Sequence, residues 1–206
     1  MQTKDFKRIG VLGSGAYAEV YLVERLGKEG KRTGIFYAMK RMKKRTYNGL
    51  TRFVITEKEI QRKIDHRFVT KLYYAFQTFE YLYMITDYYP GGDMRTIINQ
   101  QPNQRLSEDH ARIYLAELIL AIEEVHRNGI VHRDIKPENV LVDKQGHACL
   151  ADFGLAKQGL FEQKQTDTIL GGGQTYQIPE VIQGVNYDKS VDLYLYGLLA
   201  YEMLTG

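Results

Sequence analysis

The residues best suited to chemistry lie in the stretch 131–139, which reads Val-His-Arg-Asp-Ile-Lys-Pro-Glu-Asn. It supplies a carboxylate at Asp134, an ammonium group at Lys136 and an amide at Asn139. A second polar segment, Asp152-Phe153-Gly154, follows it in the chain. A fixed carboxylate can accept a hydrogen bond from a hydroxyl and orient it for attack, and a nearby lysine can offset charge on a phosphoryl group. This combination predicts phosphoryl transfer.

Asn139 and Asp152 together predict a site for a divalent cation. Amide and carboxylate oxygens are ligands that suit Mg²⁺. Taken singly, either residue could instead form a turn or cap a helix. Their occurrence with Asp134 and Lys136 in one set favours binding of metal and phosphate.

Two features nearer the N-terminus are candidates for phosphate binding. The segment 13–18 joins two β-type runs, and its glycines can let backbone N–H groups approach phosphate because they carry no Cβ. An ordinary hairpin turn is the alternative. Lys40 shares a strand face with Ala38 and needs an anionic partner, such as Glu57 or an ATP phosphate. A surface lysine with a half-buried stem is the alternative, and Glu59 competes with Glu57.

The elements that must position these residues change character along the chain. The first part is β-rich, with strands predicted at 9–12, 20–23, 35–42, 72–76 and 82–86. One helix is predicted at 51–64. The strand pattern ends at Tyr89-Pro90-Gly91-Gly92, so we expect an N-terminal lobe of residues 1–88 and a C-terminal lobe of residues 89–206.

The second part is mainly helical. Ser107 is a suitable N-cap, and Gly129 can close the helix that follows it. A short strand pair is predicted at 140–142 and 148–150. The stretch 191–204 is apolar nearly all round, which predicts a helix buried in a core.

Composition excludes several classes of protein. The excess of 28 Lys and Arg over 25 Asp and Glu is too small to favour nucleic-acid binding. Cys149 is the single cysteine, which fits a reducing compartment. Asp192 and Glu202 interrupt the most apolar stretch, so no membrane span is predicted. Without a secretory signal after Met1, we expect a cytoplasmic location, with the nucleus as the alternative.

In sequence order, these motifs resemble the catalytic domain of eukaryotic protein kinases. The matching pieces are the Gly-rich loop, Tyr37-Ala-Met-Lys40, Glu57, His132-Arg-Asp134, Asp152-Phe-Gly154, Pro179-Glu180 and Asp192. Finer motifs are similar to the AGC group of basophilic Ser/Thr kinases, notably Asp65-His66-x-Phe68, Tyr74-Ala-Phe-Gln-Thr78 and Gly91-Gly92-Asp93-Met94.

The resemblance implies an α+β, two-lobed fold: a small antiparallel β-sheet lobe with one main helix, and a mainly helical lobe. It implies ATP and Mg²⁺ as cofactors, with Asn139 and Asp152 as metal ligands. It implies catalytic roles for Asp134, Lys136, Lys40 and Glu57. The residues implied in ATP binding are Leu12, Gly13, Ser14, Gly15, Ala16, Tyr17, Ala18, Val20, Ala38, Lys40, Asp87, Tyr89 and Leu141.

The resemblance also implies a protein substrate and a mode of regulation. Asp93 and Glu138 match positions that favour arginine near the target Ser or Thr. Asp192 is expected to brace the catalytic loop. Thr168, with Thr166 second, is the expected activating phosphosite for an upstream kinase, and Arg133 is expected to receive the phosphate.

Some features depart from the kinase pattern. Gln61 stands where an apolar residue is usual, and the activation segment, residues 152–180, is altered before Pro179. The chain stops at Gly206, before the last helices expected of the fold. We therefore expect an incomplete helical lobe, as in a fragment, a truncated gene model or a chain that folds poorly alone. The alternative function is a pseudokinase-like module that binds ATP or protein without turnover.

Overall fold

The computed structural model describes residues 1–15, 18–44, 58–159, 176, 178–183 and 187–206. The chain forms two compact units. The N-terminal unit comprises Met1–Arg62 and Lys71–Tyr89, and the C-terminal unit comprises Lys63–Thr70 and Pro90–Gly206.

The N-terminal unit contains a five-stranded antiparallel sheet with strand order β1-β2-β3-β5-β4. The strands are β1 (Phe6–Ser14), β2 (Ala18–Leu26), β3 (Arg32–Lys43), β4 (Leu72–Gln77) and β5 (Tyr81–Asp87). All five predicted strands are present. The third strand begins earlier than the predicted position 35, because Arg32 of β3 already pairs with Leu26 of β2.

One face of this sheet carries an aromatic core. Its buried members are Phe6, Tyr21, Val23, Tyr37, Met39, Tyr83 and Ile85. Along β3, Tyr37 and Met39 face this core, so the alternation of a strand turns Ala38 and Lys40 to the opposite face, where both are half-buried. The predicted shared face of Ala38 and Lys40 is therefore present.

The predicted helix 51–64 is described only in part. Residues 58–63 are helical and form the described part of α1. Ile60 and Ile64 are buried, as expected for the apolar face of this segment. Glu57 lies outside the described residues.

The C-terminal unit is mainly helical. Its helices are α2 (Met94–Gln100), α3 (Glu108–Arg127), α4 (Pro179–Ile182) and α5 (Ser190–Thr205). Its short strands are β6 (Ile130–Val131), β7 (Val140–Val142), β8 (Ala148–Leu150) and β9 (Lys157–Gln158), paired as β6 with β9 and β7 with β8. The predicted pair at 140–142 and 148–150 has the predicted bounds.

Local sequence explains both ends of α3. The Ser107 side chain accepts a hydrogen bond from the backbone N–H of His110, which caps the first turn. At the other end Gly129 adopts a φ of +70°, and its N–H donates to the His126 carbonyl. The buried face of α3 contains Ala111, Glu117, Leu118, Ala121, Ile122 and Val125.

Helix α5 is buried along one side and exposed along the other. Its buried residues are Val191, Asp192, Leu195, Leu199 and Met203. Leu193 is 49% exposed and Tyr201 is 69% exposed. Sequence alone does not reveal this asymmetry, since both faces are equally apolar. No helix within the described ranges is long and apolar enough to cross a bilayer.

The division into units also differs from the expected lobes, because Lys63–Thr70 belongs to the C-terminal unit. Three contacts with strand β8 explain this. Val69 forms a parallel bridge with Leu150, the Thr70 N–H donates to the Leu150 carbonyl at 3.0 Å, and the Leu150 N–H donates to the Phe68 carbonyl at 2.8 Å. These backbone bonds attach a segment from the first part of the sequence to the second unit.

Candidate active site

The stretch 131–139 forms a loop between two short strands of the C-terminal unit. Val131 ends β6 and pairs with Lys157 of β9. A 3₁₀ turn, Pro137–Asn139, then leads directly into β7. We call residues 132–139 the catalytic loop. Both of its ends are fixed by strand pairing, so its side chains start from a defined backbone.

The catalytic loop brings three predicted side chains together at Asp134. Lys136 Nζ lies 2.9 Å from Oδ1 and 2.8 Å from Oδ2 of Asp134. Asn139 Nδ2 donates to the main-chain oxygen and to Oδ2 of Asp134, both at 2.7 Å. Asp134 is buried. Oδ2 accepts two of these hydrogen bonds and Oδ1 accepts only one. Oδ1 therefore keeps more capacity to accept a further hydrogen bond.

Asp192 braces the catalytic loop from helix α5. Its side chain is fully buried. Oδ1 accepts the Arg133 N–H at 2.7 Å, and Oδ2 accepts the His132 N–H at 2.8 Å. His126 Nε2, on α3, lies 2.8 Å from Oδ2. A buried carboxylate with this many partners is well compensated for its desolvation.

The Asp152-Phe153-Gly154 segment lies close to the loop. Asp152 adopts a left-handed φ of +59°, and its Oδ1 accepts the Gly154 N–H at 3.2 Å. Phe153 is buried, with its ring centroid 4.7 Å from that of His132. His132 Nε2 also lies 3.0 Å from the Ala151 carbonyl. The phenylalanine therefore anchors the segment and leaves the Asp152 carboxylate exposed.

Asn139 and Asp152 come from neighbouring points of the backbone. The Ala151 N–H donates to the Asn139 carbonyl at 2.8 Å, one residue before Asp152. Because Asn139 uses its amide nitrogen for Asp134, its amide oxygen remains available as an acceptor. An amide oxygen and an exposed carboxylate are hard oxygen donors, which fit a divalent cation such as Mg²⁺.

A buried carboxylate on α3 holds the hairpin that follows the loop. Glu117 Oε2 accepts the Ala148 N–H at 2.7 Å, and Oε1 lies 2.5 Å from His147 Nδ1. This contact fixes the start of β8, which leads into Asp152. Sequence reasoning did not assign Glu117. Its position among apolar residues on the buried face of a helix was the signal that could have found it.

A charged cluster surrounds Glu138, one of the two predicted substrate residues. Arg95 Nε, on α2, donates to Glu138 Oε1 at 2.9 Å. Arg95 also pairs with Glu202 of α5, and the Tyr176 hydroxyl donates to Glu202. Burial raises the pKa of Tyr176 to about 12, although Arg95 opposes the shift. Sequence reasoning missed the roles of Arg95, Glu202 and Tyr176, although a lone glutamate in an apolar helix was a usable signal for Glu202.

Asp93, the other predicted substrate residue, acts as a helix cap. Its Oδ1 accepts the Thr96 N–H at 2.8 Å, and its Oδ2 accepts the Thr96 hydroxyl at 3.0 Å. Asp93 therefore caps α2 as the N-cap residue. These bonds occupy both oxygens, so Asp93 is less available to a substrate than Glu138.

The residues predicted to bind ATP lie mainly on the N-terminal unit. Leu12, Gly13 and Ser14 end β1, and the Gly15 N–H donates to the Ala18 carbonyl at 2.9 Å. The remaining ones on this unit are Val20 on β2, Ala38 and Lys40 on β3, Asp87 at the end of β5, and Tyr89. Leu141 lies on β7 of the C-terminal unit. Ala16 and Tyr17 lie outside the described residues.

Register within the sheet relates several of these positions. Val20 is opposite Lys40 in the pairing of β2 with β3, and Ala38 is opposite Thr86 in the pairing of β3 with β5. Asp87 Oδ1 accepts the Tyr73 hydroxyl at 2.9 Å. The sheet thus places Val20 beside Lys40 on the neighbouring strand, and Ala38 lies two residues before Lys40 on the same strand. Thr166 and Thr168, the predicted phosphosites, lie outside the described residues.

The sequence of this chain is similar to those of known proteins. A family model described as the protein kinase domain matches residues 6–206. The chain is 39% identical over 204 residues to the RAC family serine/threonine-protein kinase homolog of Dictyostelium discoideum, covering 98% of this chain and 44% of that protein. It is 41% identical over 204 residues to serine/threonine-protein kinase AtPK1/AtPK6 of Arabidopsis thaliana, covering 98% and 42%.

A human relative gives a similar match. Ribosomal protein S6 kinase alpha-2 of Homo sapiens is 39% identical over 202 residues, which cover 98% of this chain and 27% of that protein. The chain thus spans less than half the length of these relatives. The matches confirm the predicted resemblance and the predicted α+β kinase fold. The chain belongs to the protein kinase domain family.

Proposed function

We propose that this chain is the catalytic part of a Ser/Thr protein kinase, which transfers the γ-phosphoryl group of ATP to a protein hydroxyl. The observation that carries the proposal is the arrangement at Asp134, whose carboxylate is held by Lys136 and Asn139. The relatives from Dictyostelium discoideum and Arabidopsis thaliana, which are named serine/threonine-protein kinases, support the same reaction.

In this mechanism Asp134 orients the attacking hydroxyl and accepts its proton. The less occupied Oδ1 is suited to this role. The Lys136 ammonium group lies against the same carboxylate and offsets negative charge that develops on the transferred phosphoryl group. Asn139 keeps Asp134 in place through two hydrogen bonds, which reduces the cost of orienting the base during reaction.

We propose Asn139 and Asp152 as the residues that hold Mg²⁺. When bound, Mg²⁺ neutralises charge on the phosphates of ATP. Lys40, with the glycine-containing turn after β1, is proposed to bind those phosphates. Ala38, Val20, Leu12 and Leu141 are proposed to contact the adenine, and Asp87 and Tyr89 to offer it backbone groups.

We propose further that the substrate carries arginine near the target Ser or Thr. Asp93 and Glu138 are the proposed carboxylates, and Arg95 contacts Oε1 of Glu138. A substrate guanidinium would form a charge-assisted bond with Oε2 of Glu138. Phosphorylation at Thr168 or Thr166 by an upstream kinase is proposed as the activating step.

The reaction is tested by measuring transfer of labelled phosphate from ATP to a serine peptide that contains arginines. We expect incorporation with Mg²⁺ and none after chelation by EDTA. The Lys40→Met variant should lose most of the transfer. Nucleotide binding by the wild type without any incorporation would overturn the proposal and favour the pseudokinase-like alternative.

Substrate preference is tested separately with Glu138→Gln. The variant should raise the KM for the arginine peptide about tenfold, the scale of one charge-assisted hydrogen bond. A matched peptide with alanine in place of arginine should show the same KM with both proteins. Equal KM values for the arginine peptide would remove Glu138 from the proposed substrate site.

A further inference from the structure

Arg133 is held in an unusual conformation inside the C-terminal unit. Its φ is +67°, a left-handed value that is unfavourable for a residue with a Cβ. The residue is only 4% exposed. Backbone strain of this kind persists where surrounding contacts determine the conformation. The contacts of Arg133 therefore indicate what the fold requires of it.

The Arg133 side chain is fixed by two uncharged acceptors. Nε donates to the Leu155 carbonyl at 2.7 Å, and Nη1 donates to the Tyr187 hydroxyl at 3.0 Å. A guanidinium carries five N–H donors in a rigid plane, so two bonds fix its orientation. Neither acceptor neutralises its charge. The oriented side chain remains able to bind an anion.

Tyr187 is attached to the helix that already holds the Arg133 backbone. It is buried and comes shortly before α5. The turn between them is closed by Asp188, whose Oδ1 accepts the Ser190 N–H at 2.7 Å. Asp192, two residues further on, accepts the Arg133 N–H. The segment from Tyr187 to Asp192 thus contacts Arg133 at two points: Asp192 accepts from its backbone, and Tyr187 accepts from its side chain.

We propose that Tyr187 is a positioning residue that orients the Arg133 guanidinium and thereby couples the catalytic loop to the segment at Leu155. The proposal rests on the proposed kinase function, in which Arg133 receives an anion on the activation segment. Tyr187 contacts neither substrate nor ATP in this role. The role is exercised through the hydrogen bond that the Tyr187 hydroxyl accepts from Arg133.

The Tyr187→Phe variant removes the hydroxyl and keeps the ring. We expect kcat for the arginine peptide to fall about tenfold, with the KM for ATP unchanged. Tyr196→Phe is the matched control, because it too removes a hydrogen-bonded hydroxyl: that of Tyr196, on α5, donates to the Leu115 carbonyl at 3.0 Å. The control should keep kcat within about twofold.

A double-mutant cycle separates positioning from a general structural role. In the Arg133→Ala background, Tyr187→Phe should change kcat by less than about twofold, because its target is gone. A structural role would produce the same tenfold loss in both backgrounds. That outcome would overturn the proposal.

A second readout does not depend on activity. With ¹⁵N-arginine labelling, the Arg133 Nη signals should be separate in the wild type and in Tyr196→Phe, since hydrogen bonds restrict rotation of the guanidinium. They should merge in Tyr187→Phe, and Arg133→Ala identifies them. Separate Nη signals in Tyr187→Phe would refute the positioning role. Absence of phosphoryl transfer by the wild type would instead count against the proposed function, and the NMR comparison would still decide the placement of Arg133.

Discussion

The carboxylate of Asp192 accepts the backbone N–H of Arg133 at 2.7 Å, although the two residues lie 59 positions apart in the sequence. The same carboxylate accepts the His132 N–H and contacts His126. One fully buried side chain of α5 therefore fixes the backbone just before Asp134. The geometry of the proposed base depends on a helix that contributes no reacting group.

Replacing Asp192 should destabilise the fold strongly. In Asp192→Ala the N–H groups of His132 and Arg133 lose their acceptor in a buried site. Because stranded buried donors cost about 1–3 kcal/mol each, we expect the free energy of unfolding to fall by about 3 kcal/mol or more. Urea denaturation followed by circular dichroism measures the change. A loss below about 1 kcal/mol would mean that the brace is not important for stability.

Glu117 should matter for stability far more than a glutamate on the outer side of the same helix. Glu117→Ala leaves the Ala148 N–H without its acceptor, so we expect a loss of about 1–3 kcal/mol. The control is Glu123→Ala, whose side chain is 62% exposed and pairs with Arg127 one turn on. Glu123→Ala should lower the free energy of unfolding by less than about 0.5 kcal/mol. Similar losses for both variants, measured by urea denaturation, would contradict this difference.

Helix α3 also offers a matched pair for its apolar packing. Leu118 is completely buried, and Leu120 is 47% exposed. Leu118→Ala should lower the free energy of unfolding by about 2–5 kcal/mol, because it removes buried methyl groups and leaves a cavity. Leu120→Ala should change it by about 0.5 kcal/mol or less. Thermal unfolding of both variants checks which face of α3 is buried. A larger loss of stability in Leu120→Ala than in Leu118→Ala would show that the assigned buried face is wrong.

Tyr176 predicts a specific dependence of stability on alkaline pH. Its folded-state pKa of about 12 is above the ordinary tyrosine value of 10.0. Between these values the unfolded chain releases the phenolic proton and the folded chain keeps it. The contribution of Tyr176 is thus complete below pH 10 and is lost as pH rises through about 12.

Tyr176→Phe isolates this contribution. The difference in free energy of unfolding between wild type and variant should shrink as pH rises from 10 to 12. Denaturant unfolding at several pH values measures it, and absorbance at 295 nm follows phenolate formation. A difference that stays constant over this interval would show that the Tyr176 phenol is not protected by the fold.

Local signals in the sequence were enough to predict much of the fold. The cap at Ser107, the apolar spacing of α3 and the terminating Gly129 are all read from neighbouring residues. The same holds for the strand pair β7–β8 and for the order of the motifs around Asp134. These features depend on short-range propensity and on spacing, which a single sequence displays directly.

Other features depend on contacts between distant residues. Arg95 and Glu202 are 107 positions apart, and nothing near either residue indicates their pairing. The attachment of residues 63–70 to β8 arises from backbone hydrogen bonds that side-chain patterns do not encode. The exposed face of α5 carries Leu193, Tyr194 and Tyr201 and is apolar like its buried face, so hydrophobic periodicity could not distinguish the two.

In the proposed mechanism, Asp134 is the base that orients and deprotonates the attacking hydroxyl. Single-turnover transfer of labelled phosphate from ATP to a serine peptide tests it most directly, because product release does not limit the signal. Asp134→Asn should slow the transfer about 10²–10⁴-fold while leaving ATP binding intact. Asp109→Asn, an exposed carboxylate on α3, is the control and should match the wild type. An unchanged rate in Asp134→Asn would contradict the proposed mechanism.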